Sequence, residues 1–141
     1  MEGIVFDFYN VIYLGKEGSL DLEVIKILEN LYSDGIPLYL FTNTRKEKIK
    51  EIEEHSGISF IRFFKSVISN KEYLKPDPRS FEYLLRETKL LPQKILFIDD
   101  SQDNVTVAES FGINAYLYTN LKELKAVLEK NQFDFPLSKN I

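Results

Sequence analysis

The chain contains no cysteine and a single histidine. Without cysteine there are no disulfides and no thiolate metal sites, which fits a reducing compartment. His55, lying just before Gly57 and without carboxylate partners nearby in sequence, reads as a residue of a helix C-terminus rather than a catalyst or metal ligand. Positive charge is short as well. Lys and Arg total 18 against 22 Asp and Glu, and the net charge of −4 gives no general attraction to nucleic acid or to an anionic membrane. The apolar runs are too short to span a bilayer, and the N-terminus lacks a basic segment followed by an apolar signal core. The expectation is a cytoplasmic protein with neither nucleic acid nor membrane as partner. No repeat, low-complexity stretch or linker divides the 141 residues. One domain over residues 1–141 is expected, with a core over about 3–131 and a C-terminal tail over 132–141. At 44% hydrophobic and 28% charged, the composition is that of an ordinary globular protein.

What is present begins with Gly3-Ile4-Val5-Phe6-Asp7. Ile4 to Phe6 is apolar without alternation, the pattern of a strand buried on both faces. Asp7 interrupts it, and a carboxylate there is costly unless a cation, a hydrogen-bond shell or water compensates it. The carboxyl end of a strand in an open α/β sheet is also where ligands bind. Asp7 is therefore either a solvated strand terminus or a catalytic group.

Further along, the segment from Tyr13 to Gly18 is punctuated by glycines and predicts a turn or small flap. Ser19 is placed to cap a first helix with Leu20, Val24, Ile27, Leu28 and Leu31 inward, ended by Gly35. Pro37 to Phe41 is a second buried strand, running into Thr42-Asn43. Thr44 and Glu47 have capping-box spacing and start a second helix, with Ile49 and Ile52 inward and alternating charges on a solvated face. A third strand is expected over Lys65 to Ile68. Asp77 followed by Pro78 caps and starts a third helix, which leaves Lys75 in the loop before it. Lys94 to Ile98 is a fourth strand ending in Asp99-Asp100, Ser101 to Phe111 a helix closed by Gly112, Asn114 to Tyr118 a fifth strand, and Asn120 to Lys130 a last helix. The tail offers Phe133, Phe135 and Leu137 to pack back onto the body. Phe60, Phe63, Phe64, Tyr73 and Tyr83 have no basic stripe beside them and read as core or interface. This alternation predicts an α/β fold: a three-layer, doubly wound parallel sheet of about five strands.

Asp7, Thr42 with Asn43, Lys75, and Asp99 with Asp100 all fall at strand or loop ends on one edge of such a sheet. Singly, each has a structural explanation: strand end, cap, turn, capping pair. Together they make chemical sense, because carboxylates with a backbone carbonyl suit Mg²⁺, while a hydroxyl, a helix N-terminus and a lysine suit a bound phosphate. A carboxylate nucleophile, a metal and a cationic clamp move a phosphoryl group through an aspartyl-phosphate.

These residues lie in four ordered motifs: Phe6-Asp7-Phe8-Tyr9-Asn10-Val11-Ile12; Phe41-Thr42-Asn43; Lys75-Pro76-Asp77-Pro78 with Phe81; and Phe97-Ile98-Asp99-Asp100-Ser101 with Asn104-Val105. The set, over about residues 3 to 118, resembles the haloacid dehalogenase-like (HAD) superfamily. The resemblance implies Asp7 as nucleophile and metal ligand, Thr42, Asn43 and Lys75 at the phosphate, and Asp100 on Mg²⁺. It implies Asp99 as a further ligand or as support for one, the main-chain carbonyl of Tyr9 as another ligand, and Asn104 as the residue orienting the loop.

The departure from the family pattern is Tyr9, where its phosphatases carry a second aspartate that protonates the leaving group and then activates water. A phenol, with an ordinary pKa of about 10, donates a proton but is a poor base near neutrality. Loss of such a group costs roughly 10²–10⁴ in rate. The family's carbon–halogen hydrolases do carry tyrosine there, but they use no Mg²⁺ and build their pocket with a cap domain. Here Asp7 to Thr42 and Thr42 to Lys75 leave room for little more than one helix each, so no cap is expected and the site should be open. The expected function is a slow, Mg²⁺-dependent phosphatase acting on a small or macromolecular phosphorylated substrate, with a second copy or a partner protein covering the open site. A catalytically impaired binding or regulatory protein is the alternative, and dehalogenase-like hydrolysis of a non-phosphate substrate the less favoured third.

Overall fold

In a computed structural model of the protein, residues 1–131 are described. The tail from residue 132, including the apolar residues expected to pack back, lies outside them. The elements are β1 (Gly3–Phe6), β2 (Tyr13–Leu14), β3 (Ser19–Leu20), α1 (Leu22–Ser33), β4 (Leu38–Phe41), α2 (Lys46–Ser56), β5 (Ser66–Ile68), α3 (Pro78–Thr88), β6 (Ile95–Asp99), α4 (Gln102–Ser110), β7 (Asn114–Leu117) and α5 (Leu121–Lys130). Short 3-10 turns cover Ile61–Phe63 and Pro92–Lys94.

Five parallel strands form one sheet in the order β5-β4-β1-β6-β7. The chain first builds outward from β1 to β4 and β5, then returns to β6 on the other side of β1. That reversal makes the carboxyl ends of the central strands the place for a ligand.

Alternation along each strand divides the interior into two layers. Ile4, Phe6, Leu38, Leu40, Leu96 and Ile98 pack with Val24, Leu28 and Leu31 of α1, Ile49 and Ile52 of α2, and Leu124 and Leu128 of α5. Val5, Tyr39, Phe41 and Phe97 face the other way, against Phe81 and Leu84 of α3 and Ala108 of α4. Burial on both faces is why β1, β4 and β6 read as unbroken apolar runs. Among the described residues no helix is long and apolar enough to cross a membrane.

Two helix starts differ from the sequence reading. Ser19 does not cap α1: β3 pairs with β2 in a small antiparallel hairpin, the expected flap, and this draws Ser19 into extended backbone. Asp21 caps instead, its Oδ1 accepting from the Glu23 and Val24 N–H groups. Nor does Thr44 cap α2. Its N–H donates to Thr42 Oγ1 at 3.0 Å and its carbonyl accepts from Ser69 Oγ at 2.8 Å. The helix therefore opens a residue later, at Arg45, without a side-chain cap. Asp77 caps α3 as expected, Asn120 caps α5, and on α4 the cap is Ser101 rather than the Asp99-Asp100 pair. His55 lies in the last turn of α2, its Nδ1 2.9 Å from the Glu51 carbonyl oxygen.

Candidate active site

The register of the sheet assembles the site. Phe6 pairs with Ile98, so the next residues, Asp7 and Asp99, stand side by side at adjacent strand ends. Asp7 N–H donates to the Ile98 carbonyl at 2.9 Å, extending the ladder by one step. Both residues share the parity of Val5, Phe41 and Phe97, and so both side chains turn toward the α3/α4 layer.

Lys75 joins them there. Its Nζ donates to Asp7 Oδ1 at 2.9 Å, Asp99 Oδ2 at 2.9 Å and the Phe41 carbonyl at 2.8 Å. An ammonium has three hydrogens, and all are spent. It also lies 4.9 Å from the Phe41 ring centroid and 5.6 Å from that of Phe97, so the faces of two aromatic rings add to its compensation in a site where its side chain is 1% exposed. Asn43 fixes the loop that delivers it: Lys75 N–H donates to Asn43 Oδ1 at 2.8 Å, and Asn43 Nδ2 donates to the Lys75 carbonyl at 3.1 Å. The Lys75–Pro76 peptide is cis.

Asp99 is fully buried, with both oxygens engaged. Oδ1 accepts from Ser101 N–H at 2.9 Å; Oδ2 accepts from Lys75 and, at 3.0 Å, from Asn104 Nδ2. Asp100, one residue on, is exposed at the mouth. A ligand oxygen from each of Asp7, Asp99 and Asp100 lies within 4.8 Å of the others. With all three carboxylates ionised, one ammonium leaves two negative charges uncompensated, the charge of one divalent cation. Burial first, and then the neighbouring Asp99, push the Asp7 pKa up to about 7 despite the opposing pull of Lys75.

Above this floor is a cavity of about 170 Å³ lined by Asp7, Tyr9, Asn10, Thr42, Asn43, Thr44, Lys75, Asp100 and Asn104. Thr42 is buried, and because Oγ1 accepts from Thr44 N–H its own hydrogen is left for a ligand. The structure thus brings all the sequence-proposed residues to one place, with Asp99 beneath the cavity rather than in its wall. Tyr9 stands edge-on to Phe8 at 5.5 Å and to Tyr13 at 5.3 Å between centroids, part of an aromatic cluster continuing into the flap. Its hydroxyl makes no hydrogen bond to the described residues.

Sequence reasoning missed the Phe41 carbonyl, since backbone acceptors carry no residue signature, and it missed Asn10. The backbone of Asn10 is left-handed, φ 64°, at the cavity rim, with Oδ1 3.4 Å from Gly15 N–H. Asparagine tolerates that conformation better than most residues, a signal that was available. Between Asp7 and Thr42 the chain holds only the flap and α1, and between Thr42 and Lys75 only α2, a 3-10 turn and β5. No further domain is inserted in either stretch.

Comparison with known proteins agrees with this architecture. The model of the haloacid dehalogenase-like hydrolase family matches residues 16–112, and the chain belongs to that family. The matched span holds the second, third and fourth motifs; Asp7 precedes it and is tied to the site by the register of β1. Among curated relatives, the (S)-2-haloacid dehalogenase 2 of a Pseudomonas strain is 30% identical over 92 residues, 64% of this chain and 39% of its own length. A phosphoglycolate phosphatase of Vibrio cholerae is 29% identical over 91 residues, 63% of this chain and likewise 39% of its own. The chain thus spans about two fifths of the length of these relatives. Among solved structures, a predicted HAD-like family hydrolase from Porphyromonas gingivalis superposes with a TM-score of 0.77 at 18% identity, covering 94% of this chain and 99% of that one. A HAD family enzyme from Bacteroides thetaiotaomicron in complex with magnesium and inorganic phosphate gives 0.66 at 23%, covering 75% and 58%. At these identities the two structures speak for the fold.

Proposed function

We propose that the protein is a slow, Mg²⁺-dependent phosphohydrolase that works through an aspartyl-phosphate on Asp7. The observation that carries this reading is the group of three carboxylates around a single, saturated lysine, which leaves a divalent deficit beside a buried hydroxyl. The donor set fits Mg²⁺, a hard cation that takes carboxylate and carbonyl oxygens and keeps several waters. Asp7, Asp100 and the main-chain carbonyl of Tyr9 would hold it. Of the two roles open to Asp99, its bonds favour support, since both its oxygens are already occupied. Once bound, the ion would offset the charge of the phosphate and of the attacking carboxylate.

The remaining steps belong to the chain. Thr42 Oγ1 donates to a phosphate oxygen. Lys75 orients the Asp7 carboxylate and holds down its basicity, acting on phosphate through its charge rather than through a direct bond. Asp7 attacks phosphorus, the bond to the leaving oxygen breaks, and water then releases phosphate from the aspartyl group. The Vibrio phosphatase supports a phosphorylated substrate; the Pseudomonas dehalogenase keeps carbon–halogen hydrolysis as the rival. A hydroxyl and a divalent charge deficit favour phosphate over halide. With Asn10, Asn43 and Asp100 exposed around the cavity, the phosphate is either carried by a macromolecule or enclosed by a second copy or a partner protein.

The test is release of phosphate from an aryl phosphate, with and without Mg²⁺, by the wild type and by Asp7→Asn. Turnover that needs both Mg²⁺ and Asp7 is expected. Activity equal to that of the mutant would leave a binding protein in place of an enzyme.

A further inference from the structure

The cavity can be read as a proton inventory. Its ionisable side chains are Asp7, Tyr9, Lys75 and Asp100. The nucleophile cannot also serve the leaving group. Each Lys75 hydrogen is bonded to an acceptor that belongs to the fold, so a proton given to substrate would break a buried ion pair or strip a backbone carbonyl of its donor. Asp100 is the exposed carboxylate of the three, and with Asp7 it is a side chain that would hold the divalent cation. The rest of the wall is amides and hydroxyls, which donate hydrogen bonds but do not surrender protons near neutrality. What remains is the hydroxyl of Tyr9, on a ring fixed edge-on between Phe8 and Tyr13 and joined to no hydrogen-bonded proton relay among the described residues. Among the described residues, the site can place charge on a phosphoryl group but has no proton ready for what departs from it.

We infer that the substrates are phosphoryl compounds whose leaving group departs as a stable anion: acyl phosphates, phosphoanhydrides, or phosphates of acidic enols and phenols. This rests on the phosphohydrolase reading and narrows it. In the first step an Asp7 oxygen forms the new bond to phosphorus, the bond from phosphorus to the leaving oxygen breaks, and its electron pair leaves on a carboxylate, phosphate, enolate or phenolate that takes no proton from the enzyme. In the second step water attacks phosphorus, the bond between the Asp7 oxygen and phosphorus breaks to return the carboxylate, inorganic phosphate departs, and the protons of the water pass to solvent, with no free base beside it among the described residues. Phosphorylated Asp7 is therefore the species that accumulates.

The experiment uses the full-length protein with Mg²⁺ and a graded series running from acetyl phosphate and nitrophenyl phosphate through phenyl phosphate to benzyl phosphate. Two readouts are taken: the dependence of kcat/KM on leaving-group acidity, and the intact mass of protein quenched in acid during turnover. For the wild type the acidic end of the series is expected to exceed benzyl phosphate by about 100-fold or more, the size of one missing general acid. A covalent phosphoryl adduct should appear in the quenched sample and be absent from Asp7→Asn. Tyr9→Phe should keep the same steepness, while Tyr9→Asp should flatten it by raising the benzyl rate and should reduce the adduct. A flat series in the wild type, or a series steepened by Tyr9→Phe, would overturn the inference and leave the phosphohydrolase reading standing. No turnover and no adduct with any member would remove both. If Tyr9→Asp does not fold, the wild-type series and Tyr9→Phe still decide.

Discussion

Asp99 and Asp100 are neighbours in sequence and opposites in surroundings. Asp99 ends β6 with no exposed surface, and its two oxygens accept three hydrogen bonds. Asp100 stands at the mouth of the cavity and accepts none from the described residues. The same division separates Lys75, with three bonds and two aromatic rings beneath it, from Tyr9 with its unbonded hydroxyl. The floor of the site is therefore part of the folded core, closed to change and expensive to alter. The mouth is where chemistry can vary without unfolding the protein.

Lys75→Met tests that division hardest. Removing the ammonium leaves two adjacent buried carboxylates without a counter-ion, and a loss of about 3–5 kcal/mol is expected in urea denaturation. Asn43→Ala removes both bonds that hold the Lys75 main chain, and about 1–3 kcal/mol should be lost. Asp7→Asn should act in the opposite direction. Because the folded protein holds the Asp7 proton up to about pH 7 while an unconstrained aspartate releases it near 3.8, the contribution of Asp7 to stability in chelator falls as pH rises between those values. The asparagine variant lacks that penalty, so at pH 8 it should be the more stable protein by about 1–2 kcal/mol, with the gap closing toward pH 4. A gap between the two proteins that does not widen with pH across this window would mean that the floor is already electrostatically balanced without a metal. Asp100→Asn should have the smallest effect, within about 0.5 kcal/mol in chelator, as expected at an exposed position. It should nevertheless remove most of the rise in Tm that Mg²⁺ gives the wild type.

The same contrast explains what could be read in advance. The floor was legible because its residues are costly where they sit: an Asp ending an apolar strand, another ending a second, a lysine before Pro76. Parallel pairing then allowed few arrangements other than convergence. The two helix starts were not legible, because partners outside each helix decided them. Ser19 was taken by pairing with Leu14 in the flap, and Thr44 by Thr42 and by Ser69, 25 residues on, whose position relative to it depends on β4 and β5 lying side by side. Local capping preference, worth about 1 kcal/mol, yields to such contacts. Asn43 was expected at the phosphate; it does line the cavity, yet both ends of its amide are occupied by Lys75, a pairing 32 residues distant that no local pattern records.

The alternation that turns Asp7 and Asp99 toward the same helical layer also sets which mutations this chain can survive. One residue inserted between Gly3 and Asp7 would rotate the nucleophile to the opposite side of the sheet, among Leu28 and Leu40, while the hydrophobic character of the strand stayed the same. An insertion at the tip of the flap, by contrast, leaves every inward-facing position in phase. Lineages of this chain should accordingly record length changes at the hairpin and almost none in the first strand.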